Sequence, residues 1–436
     1  MGRRPIRVPL HVFLNGRLVG TLRKEPSGAI AFSYHEDWLA WEHAIPVSLS
    51  LPLDSVKYTG DRVHTVFDNM LPDNDDIRRH VAARTGAAGA DAFSLLHAIG
   101  RDCVGALQFL PVEDAPGPAG VVDGRAVSAR EIGALLRDLK SAPLGINPAS
   151  DFRISIAGAQ EKTALLYHGG RWMLPSGTSA TTHIIKPAID RLANGAAFPH
   201  SVENEHLCMR FLEALGLPVA KTEMVDFDGV RALVVERFDR YWARDGRLLR
   251  VPQEDCCQAL SVPCIRKYES EGGPGTKAIL HLLRASDAPM EDHGTFMAAQ
   301  LAFWLLGATD GHAKNFSIRL GTGGRFRLTP LYDVLSAQPL VDKARLRRNS
   351  FRIAMAMGKG RHYRMDEIHP RHFVECWRAA SLSEAEGRRV VEDIAAKVAP
   401  ALEALREKLP AGVPESLVDS ICGGVARRAE KLSTLA

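Results

Sequence analysis

The sequence predicts an α+β protein: a small N-terminal α/β domain, then a second body whose strands come first and whose helices follow. Three observations predict it. Alternating apolar residues and short turns fill residues 8–110 and recur from 152 to 250. Beyond about residue 250 the apolar spacing is almost all helical, apart from strands flanking Asp333. A Pro- and Gly-rich stretch, Glu113–Arg125 with Pro116-Gly117-Pro118, separates the first body from the rest. At 436 residues, two or three domains are expected. The expected division is 1–111, a linker at 112–127, a strand-rich lobe with a lead-in helix at 128–250, and an all-helical lobe at 251–436.

The first body should open with a hairpin. Val12, Leu14, Leu18 and Leu22 are apolar, and Asn15-Gly16 is a two-residue turn. Ala29–Tyr34 and Val47–Leu51 alternate and read as a third and fourth strand. Helical patterns follow at 73–84 and 92–99, and a strand at Gly105–Leu110 closes the unit. Ser128-Ala129-Arg130-Glu131 is a capping box that starts a helix through Ile132, Leu135, Leu136 and Leu139. Strands are expected at 153–156, 163–167, 173–174, 182–187, 222–227 and 231–236. A helix at 202–215 is stopped by Gly216 and Pro218. The clearest late helices are 368–380, 384–398, 400–409 and 415–432.

Composition excludes several classes. Apolar content of 46% and charged content of 24% are those of a soluble globular protein. A net charge of +4 is too small to argue for nucleic-acid binding by itself. The seven cysteines are scattered, odd in number and form no Cys-x-x-Cys, which fits reduced thiols in a cytosol. His369-x-x-His372 lacks a Cys or carboxylate partner at zinc-ligand spacing. The basic start Met1-Gly2-Arg3-Arg4 is followed by no apolar signal segment, and no run of 18 apolar residues exists. A cytoplasmic protein without a membrane span is expected.

The chemistry centres on Gly307–Asp333. Asp310 and Asn315 are separated by four residues, and Asp333 follows after a short strand pattern. Alone, Asp-x4-Asn is an ordinary polar turn. With the later Asp it matches the order in which protein kinases place a base, a metal-binding Asn and a metal-binding Asp. Phosphoryl transfer needs a carboxylate to take the proton of the attacking hydroxyl and hard oxygens for Mg²⁺. Upstream, Lys186 ends a strand where it can reach nucleotide phosphates, and either Glu203 or Glu205 on the next helix can hold it. Ala157-Gly158-Ala159-Gln160-Glu161-Lys162 lies between strands where a phosphate-covering loop belongs. It has one glycine and is neither Gly-x-Gly-x-x-Gly nor a Walker loop. Glu236-Arg237-Phe238 ends a strand at the place that offers backbone groups to an adenine. Ser155 stands on the strand entering the phosphate loop. A phosphate there adds about two negative charges beside the nucleotide and should push the loop outward. Lys343, Arg345, Arg347 and Arg348, with Arg352, Lys359, Arg361 and Arg364, make the segment after Asp333 basic, suited to an acidic or RNA-bound target.

Several longer stretches carry a resemblance. They are Asp151–Leu166, Thr182-His183-Ile184-Ile185-Lys186, Val235-Glu236-Arg237-Phe238-Asp239-Arg240, Pro252-Gln253-Glu254-Asp255, Lys267-Tyr268-Glu269-Ser270 and Gly307–Ser317. Phe67–Asp73 and Ile99-Gly100-Arg101-Asp102 extend it into the first domain. Together they resemble the HipA serine/threonine kinases, toxins of type II toxin–antitoxin modules linked to antibiotic persistence. The resemblance implies a two-lobed protein-kinase-like fold after the N-terminal domain, with a β-rich small lobe and an all-helical large lobe. It implies Asp310 as catalytic base and Asn315 and Asp333 as Mg²⁺ ligands. The ATP-binding set would be Ala157, Gly158, Ala159, Gln160, Glu161, Lys162, Lys186, Glu236, Arg237, Phe238, His312, Ala313, Lys314, Asn315, Tyr332 and Asp333. Ser155 matches the serine whose autophosphorylation inactivates the kinase. The implied partner is a HipB-like helix-turn-helix antitoxin dimer, which binds operator DNA. The implied target is glutamyl-tRNA synthetase. Two alternatives remain at this stage: a small-molecule phosphotransferase, and a catalytically silent co-repressor that reaches DNA through its partner.

Overall fold

The Asn15-Gly16 turn folds back the first strand as expected. Asn15 has φ 46° and Gly16 φ 81°, the left-handed pair that a tight hairpin needs. In the computed structural model, which describes residues 8–146, 152–158, 160–189 and 197–435, this turn joins β1 (Leu10–Leu14) to β2 (Arg17–Lys24). With β3 (Ile30–Tyr34), β4 (Tyr58–Thr59) and β5 (Leu107–Pro111), they form a sheet in the order β4-β3-β2-β1-β5. Short α1 (Glu36–Leu39), then α2 (Asp61–Asp68), α3 (Asp75–Thr85) and α4 (Ala92–Ile99), complete the domain. Phe32, Phe67, Phe93, Phe109 and Trp38 fill one shared core.

One sequence expectation fails here. Val47–Leu51 is a turn rather than a strand, with only a bridge between Ser48 and Leu51. The serines explain it: the Ser50 N–H donates to Ser48 Oγ, and the Leu51 N–H donates to Ser48 O. Hydroxyl side chains that bond nearby backbone compete with a ladder.

The chain divides into two compact units. One takes Met1–Pro187, Val225–Ile265 and Ile318–Arg325; the other takes Ala188–Met224, Arg266–Ser317 and Phe326–Ala436. Besides the domain above, the first unit holds β6 (Gly124–Ala126), α5 (Ala129–Arg137), β7 (Thr163–His168), β8 (Arg171–Pro175) and β9 (His183–Pro187). It also includes the end of β10 (Thr222–Phe227), then β11 (Val230–Glu236), β12 (Arg240–Trp242), β13 (Leu248–Arg250), β14 (Gln253–Asp255) and a short helix, α7 (Cys256–Ala259). The strand order is β10-β11-β9-β7-β8-β6. Thus β6, inside the expected linker, pairs with β8. The capping box forms: the Glu131 N–H donates to Ser128 Oγ, and Glu131 Oε2 accepts from the Ser128 N–H. Ile132 and Leu136 of α5 then pack on Leu165, Ile185 and Val234 of the sheet. Arg153–Ile156, expected as a strand, joins no sheet. Its backbone bonds instead to the N-terminal domain, with the Ser155 N–H donating to Asp102 O at 2.8 Å.

The second unit contains α6 (Ser201–Ala214), α8 (Thr276–Leu283), α9 (Pro289–Leu306), α10 (Gln338–Asp342), α11 (Pro370–Ala379), α12 (Glu384–Glu407) and α13 (Glu415–Ala429). Pro289 opens α9, and Gly307 ends it at φ 67°. Every residue from Phe296 to Leu306 is buried, as befits a helix apolar all round. Two helices expected at 384–398 and 400–409 are one. Pro400 forfeits a hydrogen bond, but buried Val391, Ile394, Val398, Ala401 and Leu405 run through it on one face. This unit is not all helical either. β15 (Ser317–Leu320) begins in it, β16 (Phe326–Leu328) lies in it, and β17 (Arg352–Met357) pairs with β18 (His362–Arg364). Ile353–Met357 are buried, so the basic segment after Asp333 is anchored by its apolar residues. All seven cysteines are buried thiols. Among the described residues, no helix is long and apolar enough to cross a membrane.

Candidate functional site

In the second unit, α9 delivers the chain to Asp310. Its stop at Gly307 has no room for a side chain, since a Cβ there would lie 2.6 Å from the Phe351 ring. The Asp310 side chain is 59% exposed, and His312 Nε2 stands 3.8 Å from its Oδ1. The Tyr268 hydroxyl donates to the same oxygen. The Tyr268 and His312 rings meet edge to face, with centroids 4.9 Å apart. The loop is braced by its own backbone: the His312 N–H donates to Asp310 O at 2.8 Å, and the Asn315 N–H donates to His312 O at 2.9 Å. A solvent-accessible carboxylate steadied in this way can accept a proton from an arriving hydroxyl.

The same unit joins this loop to Asp333. Asn315 is buried, and its Nδ2 donates to Asp333 O at 3.3 Å. Tyr332 donates to Lys314 O at 2.8 Å, and its hydroxyl lies 2.6 Å from Ser317 Oγ. Asp333 itself has φ 61°, a left-handed backbone that costs an aspartate energy and recurs at functional sites. The chain beyond it is tied back as well. Ser336 Oγ donates to Leu306 O at 2.5 Å, and Asn204 of α6 exchanges two 2.8 Å hydrogen bonds with the Ser336 backbone. Glu203 and Glu205 flank Asn204 and are buried. Mg²⁺ takes hard oxygen ligands and commonly only one or two from protein. The Asn315 amide nitrogen bonds to Asp333, and the amide also carries one hard oxygen. With the Asp333 carboxylate, this donor set fits the ion.

In the first unit, the expected phosphate loop leans on the N-terminal domain. Ser155 is fully buried, and its Oγ donates to Met70 O at 2.9 Å. Gly158 bridges to Pro72 and accepts the Asp73 N–H. Gly158 has φ 104°, and a Cβ there would fall 2.5 Å from Lys162 Nζ. Lys162 is buried and donates to Ala157 O at 2.8 Å. Gln160 Nε2 donates to Pro187 O at 3.2 Å. Ala159 lies outside the described residues. Lys186, on β9, is 6% exposed and pairs in register with Leu233 of β11. At the expected adenine segment, Glu236 is exposed, Phe238 is half-buried and Arg237 is buried. The Arg237 side chain turns away from solvent to Asp239 and Asp102.

Comparison with known proteins gives the kinship. The HipA-like C-terminal domain family matches residues 154–402, and the HipA N-terminal domain family matches residues 10–110. The chain belongs to the HipA family. A Sinorhizobium fredii protein named as a kinase, Y4mE, is 38% identical to it over 353 residues, covering 80% of this chain and 81% of that one. The serine/threonine-protein kinase toxin HipA of Shewanella oneidensis is 30% identical over 346 residues, covering 76% of each. The solved structure of Shewanella oneidensis HipA with HipB and operator DNA shares the fold. Its TM-score is 0.80 at 24% identity, over 98% of this chain and 99% of that one.

Within this HipA-family chain, the structure gathers Asp310, His312, Lys314, Asn315, Tyr332 and Asp333 into one bonded group. The basic segment Lys343, Arg345, Arg347 and Arg348 is exposed. A cavity of about 400 Å³ beside it, walled by Phe198, Leu340 and Leu417, is lined by none of the expected site residues. Sequence reasoning gave no role to Tyr268, the nearest neighbour of Asp310, although it lies in a motif singled out above. It also passed over Asn204, hidden between the two candidate glutamates. Glu254, in the Pro-Gln-Glu-Asp motif, is structural: it is buried, and its Oε1 accepts the Leu49 N–H at 2.8 Å. Burial pushes its carboxyl up to about 8.

Proposed function

We propose that this chain is an ATP- and Mg²⁺-dependent protein serine/threonine kinase and the toxin of a toxin–antitoxin pair. The observation that carries the reading is the bonded group in the second unit: an open Asp310 carboxylate, with Asn315 tied to Asp333. Asp310 orients the target hydroxyl and takes its proton. The hydroxyl oxygen bonds to the γ-phosphorus, the bond to the β-phosphate oxygen breaks, and ADP leaves. Lys186 and the backbone of the Ala157–Lys162 loop hold the phosphates, and the Glu236–Phe238 backbone holds the adenine. Asn315 and Asp333 would hold Mg²⁺, which when bound neutralises phosphate charge. Kinship with relatives named as kinases, one of them a toxin, supports this chemistry.

Regulation and partners follow from the same reading. Ser155 is the autophosphorylation site. It is fully buried, so accepting a phosphate requires the loop to leave the N-terminal domain, and the added charge then keeps it out. A HipB-like helix-turn-helix antitoxin holds the toxin inactive and brings it to operator DNA. Glutamyl-tRNA synthetase is the first target to test, and the protein acts in the cytoplasm. The test is transfer of labelled phosphate from ATP by the purified chain and by Asp310→Asn. The parent should label itself and the synthetase, and the variant should label neither while keeping its thermal transition. Labelling by Asp310→Asn overturns the assignment of the base.

A further inference from the structure

We propose that Asp102, in the N-terminal domain, is a positioning residue for the nucleotide, holding the phosphate loop through its carbonyl and the adenine segment through its carboxylate. This rests on the nucleotide-binding reading above. The carbonyl accepts the Ser155 N–H at 2.8 Å, two residues before Ala157. The carboxylate meets both arginines that flank Phe238: Arg240 at 2.9 Å and Arg237 at 3.4 Å. Thr181 completes the link, donating from its hydroxyl to Asp102 Oδ2 at 2.7 Å and accepting from Arg237 at 2.8 Å. Arg250 adds a third cation at 3.0 Å.

The cluster is sealed: each of these side chains is at most 4% exposed. Although burial opposes it, the Arg240, Arg250 and Arg237 guanidiniums hold the Asp102 carboxyl well below the usual carboxylate range. Asp102 therefore stays charged. Three arginines around Asp102 and Asp239 leave one positive charge in excess. Removing either carboxylate strands buried cations. The neighbouring loop reinforces the link. Cys103 O accepts from Arg237 at 2.8 Å and from Arg240 at 3.0 Å, while the Gly105 N–H donates to Asp239 at 2.7 Å. Bonds from Arg237 and Arg240, on either side of Phe238, to the Cys103 carbonyl fix that segment's path. The adenine edge and the phosphate loop are thus set by one loop of the N-terminal domain, which supplies none of the expected ATP ligands.

The experiment compares the full chain with Asp102→Asn, the milder Thr181→Val, and Val12→Ala, a core change in the same domain far from the cluster in sequence. We expect the KM for ATP to rise about tenfold in Asp102→Asn and about threefold in Thr181→Val. The kcat at saturating ATP should stay within about twofold, because the lost interaction serves binding. Val12→Ala should lower the thermal transition without moving KM. Hydrogen exchange should quicken in peptides spanning 152–162 and 235–241 of the first two variants and stay unchanged in β1–β3. An unchanged KM in Thr181→Val, or exchange that quickens throughout the domain, overturns the proposal. If Asp102→Asn does not fold, Thr181→Val decides. If the parent chain fails to bind ATP, the kinase reading falls, and the exchange pattern still reports whether Asp102 holds both segments.

Discussion

Replacing Tyr268 by Phe removes one hydroxyl and keeps the ring beside His312. That hydroxyl donates to Asp310 Oδ1, so the change isolates what it contributes to the base. A hydrogen bond to a charged acceptor is worth about 1.5–3 kcal/mol when sheltered. Asp310 is 59% exposed, so water replaces much of that, and about 1 kcal/mol remains. At about 1.4 kcal/mol per tenfold in rate, kcat should fall about fivefold. Tyr268 is not among the residues expected to bind ATP, so the KM for ATP should hold. The assay is steady-state phosphate transfer to a protein substrate across ATP concentrations, with the thermal transition as a check on folding. A kcat equal to the parent's means the bond does not steady the base. A rise in KM for ATP with steady kcat would refute the reasoning in another way, by placing Tyr268 in nucleotide binding.

Two further outcomes follow from single groups. Ser155→Ala should abolish labelling of the chain by itself while leaving transfer to another protein; because the Met70 carbonyl loses its donor, stability should fall by about 1–3 kcal/mol, read by chemical denaturation. Glu254 titrates near 8 when folded against an ordinary 4.5, so between those values the folded state holds more protons than the unfolded one. Stability should then fall as pH rises through that window, by up to about 1.4 kcal/mol per pH unit. Glu254→Gln should flatten that slope in thermal melts from pH 5 to 8, and a slope that persists assigns it to another group.

Much of the fold could be read from local pattern. Asn15-Gly16, the Ser128–Glu131 box, and Gly216 after an amphipathic helix each act through their own few residues, and each formed as expected. The failures share one cause. Val47–Leu51 alternates like a strand, yet its serines satisfy its backbone. Arg153–Ile156 reads as a strand, yet it spends its hydrogen bonds on Asp102 and Met70. Pro400 reads as a break, yet buried apolar residues on both sides carry α12 through it. In each case a distant or side-chain partner outweighed a local preference, and periodicity contains no term for such partners.

By itself, the sequence determined which chemical groups are present and their order along the chain: a base, an amide and a second carboxylate at spacings suited to phosphoryl transfer, with a strand-end lysine upstream. Those are properties of covalent connectivity and local propensity. Only the tertiary structure decided which neighbours complete them. It chose Tyr268 for Asp310, the Asp333 carbonyl for Asn315, and Met70 for Ser155. It also drew three arginines and two aspartates into a sealed cluster. Such choices are made by excluding water from groups that then must find one another, and that exclusion exists only once the chain has folded.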